Sequence, residues 1–216
     1  MKTKIALLIV LLLSFSHQML SQITVDSTQI KKEYVNIDEA LKNPEKVYRL
    51  NLSNQKVSIP KEAWSKFVNL EFLSFKNDHL QDIPSEISLL RNLKVLDLSG
   101  NDFKVLPKSF SQLSNLEELY LNDEKNLKLS ENIEIISLLP HLSILHLEND
   151  NLDKLPKNIF KLSSLESLFL NNNNFKIIPT ELKGLDHLQY LDLKNNQINS
   201  DTKEINNLNF GFKINL

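Results

Sequence analysis

Cysteine is absent from this 216-residue sequence, and with it go disulfide staples, cysteine-ligated zinc, iron–sulfur clusters and thiol nucleophiles. Glycine occurs only three times, too rarely for the glycine-rich loops that cradle phosphates. No sign of charge dominates: the formal net charge is -2, so no excess of Lys and Arg coats a phosphate backbone, and nucleic acid is not an expected partner. Nor does any apolar run approach the ~20 residues that a bilayer-spanning helix needs. What is present, 41% hydrophobic and 24% charged residues, is ordinary for a soluble globular protein and excludes a disordered one. The length allows one domain or one short array of repeats, but not two large domains.

The N-terminus has its own layout. Lys2 and Lys4 precede an unbroken apolar run from Ile5 to Leu13, and small residues follow at Ser14, Ser16 and Ser21. A basic start, a short apolar centre and small residues at a cleavage point predict a secretory signal peptide over 1–21, cut after Ser21 or Ser16. A buried first helix and an uncleaved anchor are the competing readings. The expected location is secreted, periplasmic or at the cell surface, with no stable membrane insertion after cleavage. With no cysteine after the run, lipid attachment of the bacterial lipoprotein kind is unavailable.

A 23-residue period fills the rest of the chain. Val47, Leu70, Leu93, Leu116, Leu142, Leu165 and Leu188 align at steps of 23 residues, with one step of 26. Three residues after each comes Leu50, Leu73, Leu96, Leu119, Leu145, Leu168 or Leu191, and two further on Leu52, Phe75, Leu98, Leu121, Leu147, Leu170 or Leu193. A truncated eighth row keeps Ile214 and Leu216 in the same columns. The L-x-x-L-x-L alternation is that of a short strand with one buried face. A polar cluster such as Ser99-Gly100-Asn101-Asp102 then turns the chain, and an apolar pair closed by proline follows, as in Phe103/Leu106-Pro107. Beyond the proline the apolar spacing becomes three, as in Phe110, Leu113 and Leu116. That is the spacing that one or two turns of 3₁₀ or α-helix bury on one side. Proline is expected at the first helical position, where its missing N–H is no loss. Glu86 and Glu181 fall in first turns, where the helix dipole favours negative charge.

These residues resemble the leucine-rich repeat family in its 23-residue L-x-x-L-x-L-x-x-N-x-L-x-x-L-P form, and in particular its secreted bacterial members. The resemblance covers 47–216. It implies an α/β fold: a right-handed solenoid, horseshoe-like, with a concave parallel β-sheet and short 3₁₀ or α turns on the convex side. One repeat cannot bury its own apolar ridge, whereas stacked neighbours share a continuous core. The resemblance also implies a non-catalytic module that binds a protein on its concave face, without cofactor or metal.

Departures from the pattern carry their own expectations. The turn asparagine is present as Asn101, Asn173 and Asn196, but its column holds Gln55, Asp78, Glu124 and Asp150 elsewhere, so a patchy polar ladder is expected. In the row that begins at Leu116, Asn126 fills an apolar place, Ser130 replaces proline and three residues are added; Ile133, Ile136 and Leu139 keep the period of three, which predicts one extra helical turn. In the first row Ala63, Trp64 and Phe67 fill the outer core. Residues 22–46 supply an N-terminal cap: 37–42 read as a short helix with Asn36 as N-cap and Asn43-Pro44 as its stop. The last strand is left without a covering half-repeat, and an uncovered strand can pair end to end with another molecule.

Between the core leucines of each strand, two residues face away from the core. From the second row to the seventh they read Phe72/Ser74, Val95/Asp97, Glu118/Tyr120, Ile144/His146, Ser167/Phe169 and Tyr190/Asp192. Aromatic or apolar side chains appear in all six rows, a composition that suits interaction hot spots. Asp97, Glu118 and Asp192 add negative charge that favours a partner with basic residues. The candidate binding residues are therefore Phe72, Val95, Asp97, Glu118, Tyr120, Ile144, His146, Phe169, Tyr190 and Asp192. Carbohydrate or cell-wall recognition is the alternative, because aromatic rings also stack on sugars. An intracellular signalling scaffold is a further one, should the N-terminal segment not act as a signal. His141 and His146 are expected to diverge rather than share a metal, and no serine sits on a glycine elbow beside a base.

Overall fold

The computed structural model describes residues 32–56, 58–198 and 211–216; the signal segment expected over 1–21 lies outside the described residues. Nine short parallel strands form one open sheet in chain order. They are β1 (Glu33–Tyr34), β2 (Arg49–Asn51), β3 (Phe72–Ser74), β4 (Val95–Asp97), β5 (Glu118–Tyr120), β6 (Ile144–His146), β7 (Ser167–Phe169), β8 (Tyr190–Asp192) and β9 (Lys213–Asn215). Eight of them are the strands expected from the repeat. β1 is additional: Tyr34 pairs in register with Leu50, so the N-terminal cap includes a strand as well as a helix. Its two residues lack the L-x-x-L-x-L spacing, which is why no pattern announces it.

Register is set by the leucine column. Leu50, Leu73, Leu96, Leu119, Leu145, Leu168 and Leu191 stand directly beside one another across β2 to β8, and all seven are fully buried. A one-residue slip of any strand would turn its leucines outward, so the shared core fixes the pairing. The column thins at the C-terminal end. Ile214 is only partly buried, and Leu216 is 48% exposed.

The convex side is made of 3₁₀ turns at Lys61–Lys66, Ser85–Leu89, Lys108–Gln112, Lys157–Lys161 and Thr180–Gly184. The prolines do not take the first helical position expected of them. Pro60, Pro84, Pro107, Pro156 and Pro179 each sit one residue earlier, with ψ between 123° and 147°. From there the proline carbonyl accepts the first 3₁₀ bond, as Ala63 N–H to Pro60 at 2.8 Å and Phe110 N–H to Pro107 at 2.9 Å. The fixed φ thus pre-sets the corner before the turn. Beneath it, Trp64 and Phe67 are buried in the first outer core, and the Trp64 indole donates to the Ile59 carbonyl at 3.2 Å.

Among the described residues, two α-helices interrupt this regularity. α1 (Ile37–Ala40) is the expected cap: the Asn36 side chain accepts from Glu39 N–H at 3.0 Å, and Ile37, Ala40 and Leu41 pack on the core. α2 (Leu129–Ile136) takes up the three extra residues, with Ile133 and Ile136 fully buried. Asn132, on the inner face of α2, is fully buried too. Its Oδ1 accepts from Leu106 N–H at 2.8 Å, and its Nδ2 donates to the Lys104 and Lys128 carbonyls, each at 2.9 Å. This side chain ties the irregular row to the loop of the row before it.

The polar ladder runs through the acidic positions where the sequence led us to expect gaps, while Asn101 and Asn196 accept instead from the N–H two residues past the column, of Leu80 at 2.9 Å and Phe175 at 3.0 Å. Asp78 accepts from Gln55 N–H, Glu124 from Asn101 N–H, Asp150 from Glu124 N–H and Asn173 from Asp150 N–H, at 2.7 to 3.0 Å. Accepting a neighbour's N–H needs only a side-chain oxygen, and a carboxyl offers one as readily as an amide. Just before this column, one residue per row turns with positive φ: Asn54, Asn77, Gly100, Asp123, Asn149, Asn172 and Asn195. Asn, Asp and Gly tolerate that conformation best. At Gly100 the space is tight as well, because a Cβ there would lie 2.1 Å from Asn77 Oδ1.

Candidate functional site

Because strands alternate, the residues on either side of each core leucine emerge on the face opposite the core. The parallel register aligns them into two rows. Phe72, Val95, Glu118, Ile144, Ser167 and Tyr190 form one, and Ser74, Asp97, Tyr120, His146, Phe169 and Asp192 the other. All ten candidate residues therefore lie on one face.

The structure draws five of them into one continuous cluster. The Tyr120 and His146 rings stack at 3.9 Å and 10°, and His146 and Phe169 at 4.4 Å and 6°. Phe169 then meets Tyr190 at 5.5 Å and 52°. Glu118 is the hinge of the group: its Oε1 accepts from the Tyr120 hydroxyl at 2.6 Å and lies 3.0 Å from His146 Nε2. Burial, together with the Glu118 carboxylate, pushes the Tyr120 phenol well above its ordinary value, so Tyr120 stays a neutral donor. His146 is only 8% exposed, and its other nitrogen lies 3.4 Å from Glu148 Oε1.

Glu148 was not among the candidates. It follows His146 by two residues and so projects from the same side, but it lies beyond the strand, outside the two columns that were read. The i, i+2 spacing was the available signal.

The other candidates lie at the edges of this cluster or beyond it. The Arg49 guanidinium carbon lies over the Phe72 ring, 4.0 Å from the ring centroid, and Arg49 pairs with Glu33 on β1. Asp97 accepts from Ser99 N–H at 2.9 Å and flanks Tyr120 in register. Asp192 accepts from the Tyr190 hydroxyl at 3.2 Å and from Asn215 at 3.0 Å. Val95 and Ile144 are half-buried and flank Glu118 in register. The aromatic residues of this face are thus half-buried or buried: Tyr120, His146, Phe169 and Tyr190 cover one another, and Arg49 covers Phe72. The large exposed apolar residues lie elsewhere, at Val35, Val68, Leu89, Leu138, Phe160, Ile177 and Leu216.

What this face presents is a band of ring edges and carboxylates on a rigid sheet. Tyr120, His146 and Phe169 have their facing sides against each other, and Asp97, Glu118, Glu148 and Asp192 border them. His141 is exposed and is not among the partners of His146. No group of three or more His, Cys, Asp or Glu side chains is placed to hold a metal ion among the described residues. None of their helices is long and apolar enough to cross a membrane.

Comparison with known proteins agrees with the repeat at both levels. Residues 45–139 match a family profile described as a leucine-rich repeat region, and residues 140–198 match a leucine rich repeat profile. An LRR protein of Leptospira interrogans superposes with a TM-score of 0.58 at 30% identity, over 87% of this chain and 59% of that one. An internalin of Listeria monocytogenes gives 0.57 at 21% identity, over 78% of this chain and 47% of its own, and at that identity shares the fold alone. Among curated proteins, a MAP kinase phosphatase with leucine-rich repeats from Dictyostelium discoideum is 36% identical over 85 residues, which is 36% of this chain and 10% of that protein. The chain spans a tenth or less of the length of the curated relatives it matches. With a stacked leucine column, a polar ladder beside it and matches running from residue 45 to 198, the chain belongs to the leucine-rich repeat family.

Proposed function

We propose that this chain is an exported, non-catalytic protein-interaction module whose partner docks on the concave sheet. Leucine-rich repeat domains as a class suggest protein interaction. The observation that carries the finer reading is the clustering of Tyr120, His146, Phe169 and Tyr190 with Glu118 in adjacent strands. Side chains braced this way lose little entropy on binding, which is how anchors at interfaces contribute most. Asp97, Glu118, Glu148 and Asp192 favour a partner that offers Lys or Arg at matching spacing. Export rests on the N-terminal layout of Lys2, Lys4 and the Ile5–Leu13 run.

Carbohydrate recognition has less support. Sugars stack on open ring faces, whereas the facing sides of Tyr120, His146 and Phe169 are occupied by one another.

Capture from envelope fractions tests the reading, using wild type, the double variant Tyr120→Ala/Phe169→Ala and a convex control, Phe160→Ala. Proteins retained by wild type and control but lost by the double variant support concave docking. Equal capture by all three refutes the site, and a hit on a glycan array with no protein captured would favour the sugar reading. Sequencing the N-terminus of the secreted fraction tests export. A chain recovered only in the cytosol, with Met1 retained, refutes it.

A further inference from the structure

The polar ladder contains a chemical mismatch. Where the column holds asparagine, the amide uses both ends: Asn101 Nδ2 donates to the Phe75 and Leu98 carbonyls at 3.0 and 2.6 Å, and Asn173 Nδ2 to those of Leu147 and Leu170 at 2.8 and 3.0 Å. Asn196 does the same to Leu170 and Leu193. Glu124 and Asp150 occupy the same column and perform only the accepting half. Glu124 Oε1 takes the Asn101 N–H and Asp150 Oδ1 the Glu124 N–H. Their second oxygens, Glu124 Oε2 and Asp150 Oδ2, are buried with no hydrogen-bond partner among the described residues; Asp78 Oδ2 is buried likewise, but Asp78 takes two N–H groups, of Gln55 and Lys56, where Glu124 and Asp150 take one each. Both side chains belong to residues less than one-tenth exposed. An ionised carboxylate cannot donate, so in that form two charged oxygens would be left in a dry turn, in the column where asparagine presents N–H groups.

We infer that Glu124 and Asp150 are neutral carboxylic acids in the folded chain at neutral pH. Their protons take the place of the missing amide hydrogens, so that this turn is stable in acid and labile in alkali. The charged neighbours act in one direction. Asp150, Asp102 and Asp123 bear on Glu124, while Asp123 and Glu148 bear on Asp150; all are acidic. From the packed backbone, Asn101 N–H faces Glu124 and Glu124 N–H faces Asp150, and these favour ionisation without outweighing burial. Burial, chiefly, pushes both groups up to about 8. The rows concerned are those that supply Tyr120 and His146, so the seam lies in the repeats that carry the concave cluster.

The sign follows from linkage. An unfolded chain releases these protons near pH 4, whereas the folded chain keeps them to about 8. Between those limits the folded state binds more protons, and stability falls as pH rises. Each group can lower the folding constant by at most about tenfold per pH unit across that window.

Urea unfolding of the whole chain, followed from about pH 5 to about pH 9, tests this against Glu124→Gln/Asp150→Asn. Both replacements keep an accepting oxygen and add the donor that asparagine supplies elsewhere. The variant should lose less stability across the range than wild type, and should exceed it at the alkaline end. Effects of the histidines and the exposed ion pairs are common to both proteins and cancel in the difference. Carbon-13 carboxyl shifts of wild type give a second readout, with midpoints well above those of ordinary carboxylates expected for both residues. Parallel pH profiles of the two proteins, or carboxyl midpoints below about 5 in folded wild type, would overturn the inference.

Discussion

Replacing Asn132 by alanine should be among the most damaging single changes in the array, and its cost can be built bond by bond. The side chain is fully buried and makes three hydrogen bonds, to Leu106 N–H and to the Lys104 and Lys128 carbonyls. The two carbonyls are not orphaned by its loss, because Lys104 still accepts from Lys128 N–H and Lys128 from Asn132 N–H, both at 3.0 Å. Leu106 N–H has Asn132 Oδ1 as its partner and would be stranded inside the loop. Stranding one buried donor costs about 1–3 kcal/mol, and weakening two carbonyls costs about 1 kcal/mol more. With a small cavity added, the sum is about 2–5 kcal/mol. Against a typical total of about 5–15 kcal/mol, that is a large fraction. Urea denaturation gives the measurement through the midpoint shift at unchanged slope. Asn126→Ala, at an exposed asparagine of the same row, should stay within about 0.5 kcal/mol of wild type. If Asn132→Ala were to lose less than about 1 kcal/mol, the reasoning that this side chain holds α2 to the preceding loop would be wrong.

Other outcomes follow from the same packing. Leu145→Ala removes a fully buried member of the leucine column and should cost about 2–5 kcal/mol by urea denaturation, while Leu216→Ala at the exposed end should cost under about 0.5. Gly100→Ala should destabilise by about 1–3 kcal/mol, since φ is +69° and the new Cβ would meet Asn77 Oδ1; adding Asn77→Ala should recover part of the loss in thermal melts, though not the backbone strain. Lys61→Ala breaks the contact with Glu86 at 2.8 Å, yet the melting temperature should barely move, because the Lys61 side chain is 84% exposed and such pairs are screened.

Much of this protein is legible in the order of its residues. Leucines at one interval determine that each row has a buried ridge and a strand, and a ridge that one row cannot cover by itself forces rows to stack. From that follow the leucine column, the sheet order, and the pairing of the two concave rows. α2 was legible for the same reason, because Ile133, Ile136 and Leu139 keep their spacing through an irregular stretch. The cap helix was legible from Asn36 and Pro44.

Only the folded chain decided the rest, because it depends on atoms brought together from separate rows. Spacing places Tyr120, His146 and Phe169 side by side, but whether the rings open toward solvent or close on one another is a question of rotamers and neighbours. Here they close, with Glu118 bridging two of them. Asn132 looks like any helix-surface asparagine until the loop at Lys104–Leu106 lies against it. The acids of the polar column look like gaps in the sequence, yet they take their place in the ladder because acceptance needs only an oxygen. The donor half of asparagine's task is what they cannot perform while charged, and this imbalance becomes visible only once burial has removed the water that would otherwise satisfy it.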